Sequence, residues 1–561
     1  MEGSPPRITS TQPRDPLRVK ESLREIFDRR TAKGELIFAM LAGSQAFNLA
    51  VATSDEDWFG IYAGDIEATF GLQAPAPSLD GNDPDYAIYE VSKYAELLLK
   101  GNPKVIEPLF AKHNCWTHPL WHLLQNKREA FLTQTTLAQY VKYSRSQLHD
   151  AKELSGQPKH KKLCHALRLM READRISRGE GPMVWFEGEE RDYLLSIRSG
   201  AVDENSILQE LTELLETIEK RKECLPARTD PSLLDQWIEQ VRLQSISSSL
   251  WQNVPPSFLD QQEHISASSL ALKQRAEDLL SKHGVKSGAR VLCCIPSGSK
   301  AHGLAIRNKA SEDYIGVFVV ATPSVLRMKE AVRRVDEVGG LQSKQKEIAA
   351  RGMLLLEASH ACRLLCQGHH RLVEALFWDQ QEEHEEAKEQ LVSYESETWL
   401  QLKRCREEIL SGPQATAAID HCCGVSTGLL QRKPTTAIAM YHAMRLLVEA
   451  EHLIREGRPQ VRLRDEEERQ LLLSIRDIDE NKNDEELDKV KEKVVQKLEQ
   501  VSSLRNSSNT KTKKKNQKEE SDGNNNKIAV NNWLASLRIA QWKQQLKRKE
   551  EEGDKEAASS S

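Results

Sequence analysis

The chain has 561 residues, 39% of them hydrophobic and 29% charged, with a formal net charge of −5. That length suggests roughly three or four folding units, no apolar run approaches the ~20 residues that cross a bilayer, and the acidic balance argues against a globally basic nucleic-acid binder. The 10 cysteines are scattered and include the adjacent pairs Cys293–Cys294 and Cys422–Cys423, which suits reduced, buried thiols in the cytoplasm or nucleus better than a disulfide framework.

In chain order, MEGSPPRITSTQPRDP has no cationic head followed by an apolar run, so residues 1–17 read as a disordered tail and not as a signal peptide. LRVKESLREIFDRR carries apolar residues at helical spacing. ELIFAML, WFGIYA and YAIYEV read as short β-runs, the last passing straight into a helix. Residues 18–125 are therefore expected to form an α/β head, and 126–250, where only helical patterns occur, an all-helical domain. The same order then returns. GSQAFNLAVATSDEDWFGIY at 43–62 recurs as GSKAHGLAIRNKASEDYIGVF at 298–318, and YEVSKYAELLLKGNPKVIEPLF at 89–110 as LEASHACRLLCQGHHRLVEALF at 356–377. KLCHALRLMREADRI at 162–176 recurs as AMYHAMRLLVEAEHL at 439–453, and DYLLSIR at 192–198 as QLLLSIR at 470–476.

Four matches in one order make the chain a tandem duplication. Residues 265–382 repeat the head and 383–505 the helical domain, so the expected fold class is α+β: two tandem units, each a mixed-sheet head followed by an all-helical domain. The stretch 506–527, NSSNTKTKKKNQKEESDGNNNK, is polar and low in complexity and reads as a disordered insert. Residues 528–550 read as the closing helix of the second unit, since NNWLASLR matches DQWIEQVR with Trp533 against Trp237 and Arg538 against Arg242.

The chemistry concentrates in GS-x(10)-D-x-D. Gly43 lets the backbone approach a triphosphate, and the neighbouring amides and the Ser44 hydroxyl can donate to phosphate oxygens. Asp55 and Asp57, two apart on a strand, would point to one face and ligate Mg²⁺ through hard oxygens. A third carboxylate on a neighbouring strand usually completes such a site, and Asp85 and Glu90 are both placed for it. In the second copy Asp57 survives as Asp313 and Glu90 as Glu357, whereas Asp55 faces Ser311 and Asp85 faces Gly352. Two carboxylates missing together favour Asp85 as the third metal-binding and catalytic acid and mark the second copy as degenerate. Glu90, Glu107, Glu357 and Glu374 persist there and are expected to do structural work.

His165 and Arg168, three apart on one helix, read with Lys162 as contacts to nucleotide phosphate or base. Their recurrence as His442 and Arg445 supports internal packing equally well. The stretch SHACRLLCQGHH offers the zinc-ligand types His360, Cys362, Cys366, His369 and His370. Its counterpart in the first copy has Ala95 and Leu99 at the cysteine positions, so buried helix thiols are the better account.

Gly43, Ser44, Ser54, Asp55, Asp57 and Gly60, then Lys93, Gly101-Asn102-Pro103 and Glu107, and finally His165 and Arg168 carry a resemblance to the nucleotidyltransferases of the DNA polymerase β superfamily, and within it to the family associated with bacterial RNA repair. The resemblance covers nearly the whole chain, once per copy. It implies an NTP substrate, Mg²⁺ or Mn²⁺ held by Asp55, Asp57 and Asp85, phosphates against Gly43 and Ser44, and transfer of a nucleoside monophosphate to an acceptor hydroxyl, with an RNA end as acceptor. Phe59 stands where that family's pattern has an arginine, and Asn48 where it has a glycine. Those departures keep a second class open, a non-catalytic nucleotide- or RNA-binding scaffold built from two such domains. The two copies are expected to pack as a pseudo-dimer within one chain.

Overall fold

The computed structural model describes residues 13–559 apart from 31–32, 73, 83, 245–265, 286–287, 305–312, 323–324, 326–332, 338–351, 380–390, 479–483 and 514–521. The chain divides into two units, one formed mainly by Met1–Thr69 and Gln73–Ser247, the other mainly by Ser248–Val325 and Glu330–Ser561.

Each unit begins with a five-stranded mixed sheet. In the first, β1 (Gly34–Leu41), β2 (Trp58–Gly64), β3 (Ser78–Asn82), β4 (Asp85–Glu90) and β5 (Cys115–Thr117) lie in the order β3-β4-β2-β1-β5. Only the β2–β4 pair is parallel. After the exposed Glu35, LIFAML is apolar throughout because β1 is covered on both faces from Leu36 onward. A bulge between Leu36 and Phe38 turns Ile37 and Phe38 to one face with Met40, while Leu36, Ala39 and Leu41 meet the other. The outer face is closed by Val19, Leu23, Ile26 and Phe27 of the helix Pro16–Asp28, whose start is capped by Asp15. The inner face is closed by the helix Val91–Leu99 and by the helical half.

The second unit repeats this design. β6 (Arg290–Ser297), β7 (Asp313–Val319), β8 (Arg334–Asp336), β9 (Met353–Glu357) and β10 (Tyr394–Glu395) lie in the order β10-β6-β7-β9-β8, again with one parallel pair, β7–β9. The bulge recurs between Val291 and Cys293. The fold is thus two tandem α+β units, as the repeat implies.

Helices complete each unit. Gln134–Lys152, Gly156–Ser177 and Gly188–Ser199 follow the first sheet, and Gly412–Leu430, Ala437–Glu456 and Glu466–Arg476 the second. The closing helix Pro231–Gln244 docks through two polar anchors: Trp237 Nε1 donates to the Leu120 carbonyl at 3.0 Å, and Arg242 pairs with the buried Glu90 at 2.8 Å. In the second unit Trp533 Nε1 donates to the Thr398 carbonyl at 2.9 Å and Arg538 pairs with Glu357 at 3.3 Å. Both glutamates also cap the helix that follows their strand, accepting from Ser92 at 2.7 Å and Ser359 at 2.8 Å. Helix enters the 506–527 stretch from both sides, with Asp484–Lys513 before it and Asp522–Ser559 after it, and 514–521 lie outside the described residues.

No helix among the described residues is long and apolar enough to cross a membrane, and all ten cysteines are free thiols. Arg538→Ala would leave the Glu357 carboxylate buried beside no guanidinium. It should lower the unfolding free energy by about 3–5 kcal/mol, measured by urea denaturation, and adding Glu357→Gln should recover part of that loss.

Candidate active site

The segment between β1 and β2 holds the sequence motif. Gly43 opens a single helical turn, Gly43–Ala46, with φ of +59°. A Cβ at that position would overlap the Asp57 carboxylate, so glycine is required here both for its backbone conformation and to admit a carboxylate. Gly298, with φ of +73°, stands in the same way against Asp313. The Ala42 amide donates to the Asp57 backbone carbonyl at 2.7 Å, which fixes the two ends of the loop together.

Asp55 and Asp57 do not lie on a strand as their spacing suggested. The β1–β2 ladder ends at the pair Leu41–Trp58, so both aspartates sit in the loop that enters β2. Asp85 is the first residue of β4, and the parallel register Trp58–Tyr86 sets it beside Asp57 across the sheet. Asp55 and Asp85 are exposed. Burial, Asp85 and Asp55 push the pKa of Asp57 up, while Lys161 and Lys104 pull it down. Asp85 and Asp55 therefore bear on Asp57 electrostatically. The three carboxylates are not drawn within 4.8 Å, the spacing that His369, His370 and His421 satisfy among the described residues.

The helix Gly156–Ser177 supplies the opposing charge. His165 keeps an exposed face while protein packs around much of the ring. Burial and the cations Arg168, Lys162, Lys104 and Lys161 push its pKa down to about 3. Arg168 faces inward: it is buried, pairs with Glu107 at 2.8 Å and lies 3.8 Å from the Phe47 ring centre. Lys162 is held by Asp150 at 2.9 Å. The lysines that stand in the field of Asp57 are Lys161 and Lys104, which sequence reasoning passed over. A signal was there for one of them, because Lys161 faces Ile438 in the second copy and so is missing together with the two carboxylates.

The repeated DYLLSIR motif also finds its reason. Arg198 donates to the Leu49 carbonyl and the Ser54 hydroxyl, and Arg191 to the Asn48 carbonyl at 2.8 Å. In the second unit Arg476 grips the Leu304 carbonyl and Arg469 the Gly303 carbonyl. Asn48 has φ of +58° and Gly303 φ of +71°. The position demands a left-handed backbone, which asparagine tolerates better than most side chains, so the departure to Asn48 preserves the loop. Phe59 packs into the inner core against Phe38, Tyr89 and Tyr94.

In the second unit the corresponding place is altered. Asp313 Oδ1 accepts the Gly352 amide at 2.9 Å, where the first unit has Asp85. Ser311 lies outside the described residues. Gly298, Ser299, His302, Arg371, His442 and Arg445 line a cavity of about 50 Å³, well below the roughly 300–1,000 Å³ of small-molecule pockets. Glu374 is taken up by Arg445 at 2.6 Å and His302 at 3.4 Å.

A family model described as the RNA repair pathway DNA polymerase beta family matches the chain twice, over residues 17–253 and 272–524. No curated protein matches, and no solved structure does.

The two cations of the helix should separate experimentally. Arg168→Met leaves Glu107 buried without its partner and should cost about 3–5 kcal/mol of stability. Lys161→Met, at an exposed position, should stay within about 0.5 kcal/mol of the parent. Urea unfolding of the two variants reads both.

Proposed function

The chain belongs to the RNA repair pathway DNA polymerase beta family in both of its repeats, and from that premise we propose that the first unit is a metal-dependent nucleotidyltransferase and the second a catalytically silent copy. The observation that carries this reading is the load on Asp57, a carboxylate pressed against Gly43 with Asp85 and Asp55 acting on it and with Lys161 and Lys104 facing it.

Asp55, Asp57 and Asp85 form a hard-oxygen donor set, and a divalent cation such as Mg²⁺ or Mn²⁺ would relieve the unfavourable field on Asp57. Asp55, Asp57 and Asp85 would hold it, and when bound it supplies charge stabilisation at the phosphoryl centre. The Gly43–Ser44 turn receives the triphosphate of an NTP through backbone amides and the Ser44 hydroxyl. Lys161 and Lys104 offset the phosphate charge, and His165 lines the cleft beside them. The acceptor hydroxyl attacks the α-phosphorus, its proton passes to Asp85, and pyrophosphate leaves. The family's description supports an RNA end as the acceptor, with a protein side chain or a small molecule as the alternatives.

Three differences support silence of the second unit. Gly352 replaces Asp85, Ser311 replaces Asp55, and Ile438 replaces Lys161. The small cavity beside Gly298 adds to them, at about 50 Å³ well below the size of a nucleotide pocket.

Incubation with each labelled NTP, Mg²⁺ or Mn²⁺ and a pool of RNA acceptors should show label transfer. Asp57→Asn and Asp85→Asn should each slow it by at least about 100-fold, equivalent to about 3 kcal/mol in the barrier, and Asp313→Asn should leave it within about twofold. Nucleotide binding without metal and without transfer would instead identify a binding scaffold.

A further inference from the structure

The geometry points to a transition-metal site, suited to Zn²⁺, formed by His369, His370 and His421 of the second unit and joining its head to its helical half. Each imidazole offers one nitrogen, and the three nitrogens lie within 4.8 Å of one another. The ring centroids are 5.1, 4.9 and 5.4 Å apart.

Local backbone geometry explains why they meet. Gly368, with φ of +72°, lies so close to the helix Gly412–Leu430 that a Cβ would overlap the backbone of Ala417 and Ala418. His369 and His370 follow at once, His370 opening the helix His370–Phe377. His421 stands one turn beyond Ala417 on the same helix face, and so reaches the pair from the other side.

One further observation points to a ligand. The Nδ1 atoms of His369 and His370 are buried and have no hydrogen-bond partner, although buried polar atoms are normally paired. Three imidazoles are a donor set for Zn²⁺, and Co²⁺ reports on the same geometry.

The first unit lacks the site while keeping its scaffold. Gly101, with φ of +67°, makes the same close approach to the backbone of Thr136, and is followed by Asn102 and Pro103. The thiols that the sequence sets beside His369, Cys362 and Cys366, are not members of the group, and His421 takes their place. The inference stands apart from the transferase reading, since it uses none of its residues.

The test is titration of the full chain with Co²⁺ after chelator treatment. One equivalent should bind with the visible bands of a low-coordinate nitrogen site and without the near-ultraviolet charge-transfer bands of thiolates. It should raise the thermal midpoint and be displaced by Zn²⁺. Asp57→Asn should leave this equivalent in place, which separates it from ions held by the carboxylates, and His421→Asn should remove it. Should His421→Asn fail to fold, His369→Asn serves in its place. Absence of a bound equivalent in the parent, its persistence in a folded histidine variant, or thiolate bands would each overturn the proposal.

Discussion

A buried arginine–glutamate pair seats the helical half of each unit on its head, and the rest of the candidate site depends on it. Arg168 with Glu107 and Arg445 with Glu374 do this in the two units. Such a pair adds little net stability over a well-packed apolar contact, but removing one member leaves a charge stranded in low dielectric, so the arrangement tolerates very few alternatives. The consequence is rotational. Lys161, His165 and Arg168 are spaced four and three residues apart and share one helix face. Fixing Arg168 inward against Glu107 therefore fixes where Lys161 and His165 stand relative to Asp57. A structural ion pair in this way sets the electrostatics of a cleft in which it takes no direct part.

The duplication separates scaffold from chemistry without any outside comparison. Both units keep the bulge in the first strand, the glycine pressed against an aspartate, the two arginines that grip the loop carbonyls, the two buried arginine–glutamate pairs, and the tryptophan of the closing helix. Each of these has a partner in its own unit that would be left unsatisfied by its loss. Asp85, Asp55 and Lys161 have no such obligation, and these are the positions at which the second unit carries Gly352, Ser311 and Ile438.

Much of this was legible in the sequence because it is written in local pattern. The two units follow from the repeat, the strands from short apolar runs, and the closing helix from Trp533 and Arg538 matching Trp237 and Arg242. The structural duty of Glu90 and Glu107 follows from their survival in the second copy. What stayed hidden depends on chain segments meeting. Nothing in the spacing of Asp55 and Asp57 says that the ladder stops at Trp58, and nothing local links Lys104 or Lys161 to Asp57. Asn48 looked like a departure from a glycine because sequence records side chains, whereas the loop selects for a left-handed backbone that asparagine can also adopt. His421 was invisible beside SHACRLLCQGHH, since only the contact of Gly368 with a distant helix brings it there.

The two units also differ in what their aspartates meet. A raised pKa means that the fold disfavours the ionised form, so Asp57 subtracts from stability above its unfolded pKa, and that penalty fades as the pH falls through the raised value. The first unit carries this load because burial, Asp85 and Asp55 all act against ionisation of Asp57. In the second unit the crowding carboxylate at the neighbouring strand is gone, and Asp313 accepts a backbone amide from the residue that replaced it. Where Asp57 meets like charge from the neighbouring strand, Asp313 ties two strands together. The glycine bend, the buried ion pairs and the gripped loop each have a structural duty within their own unit, which is why the second unit keeps them with Gly352 and Ser311 in the places of Asp85 and Asp55.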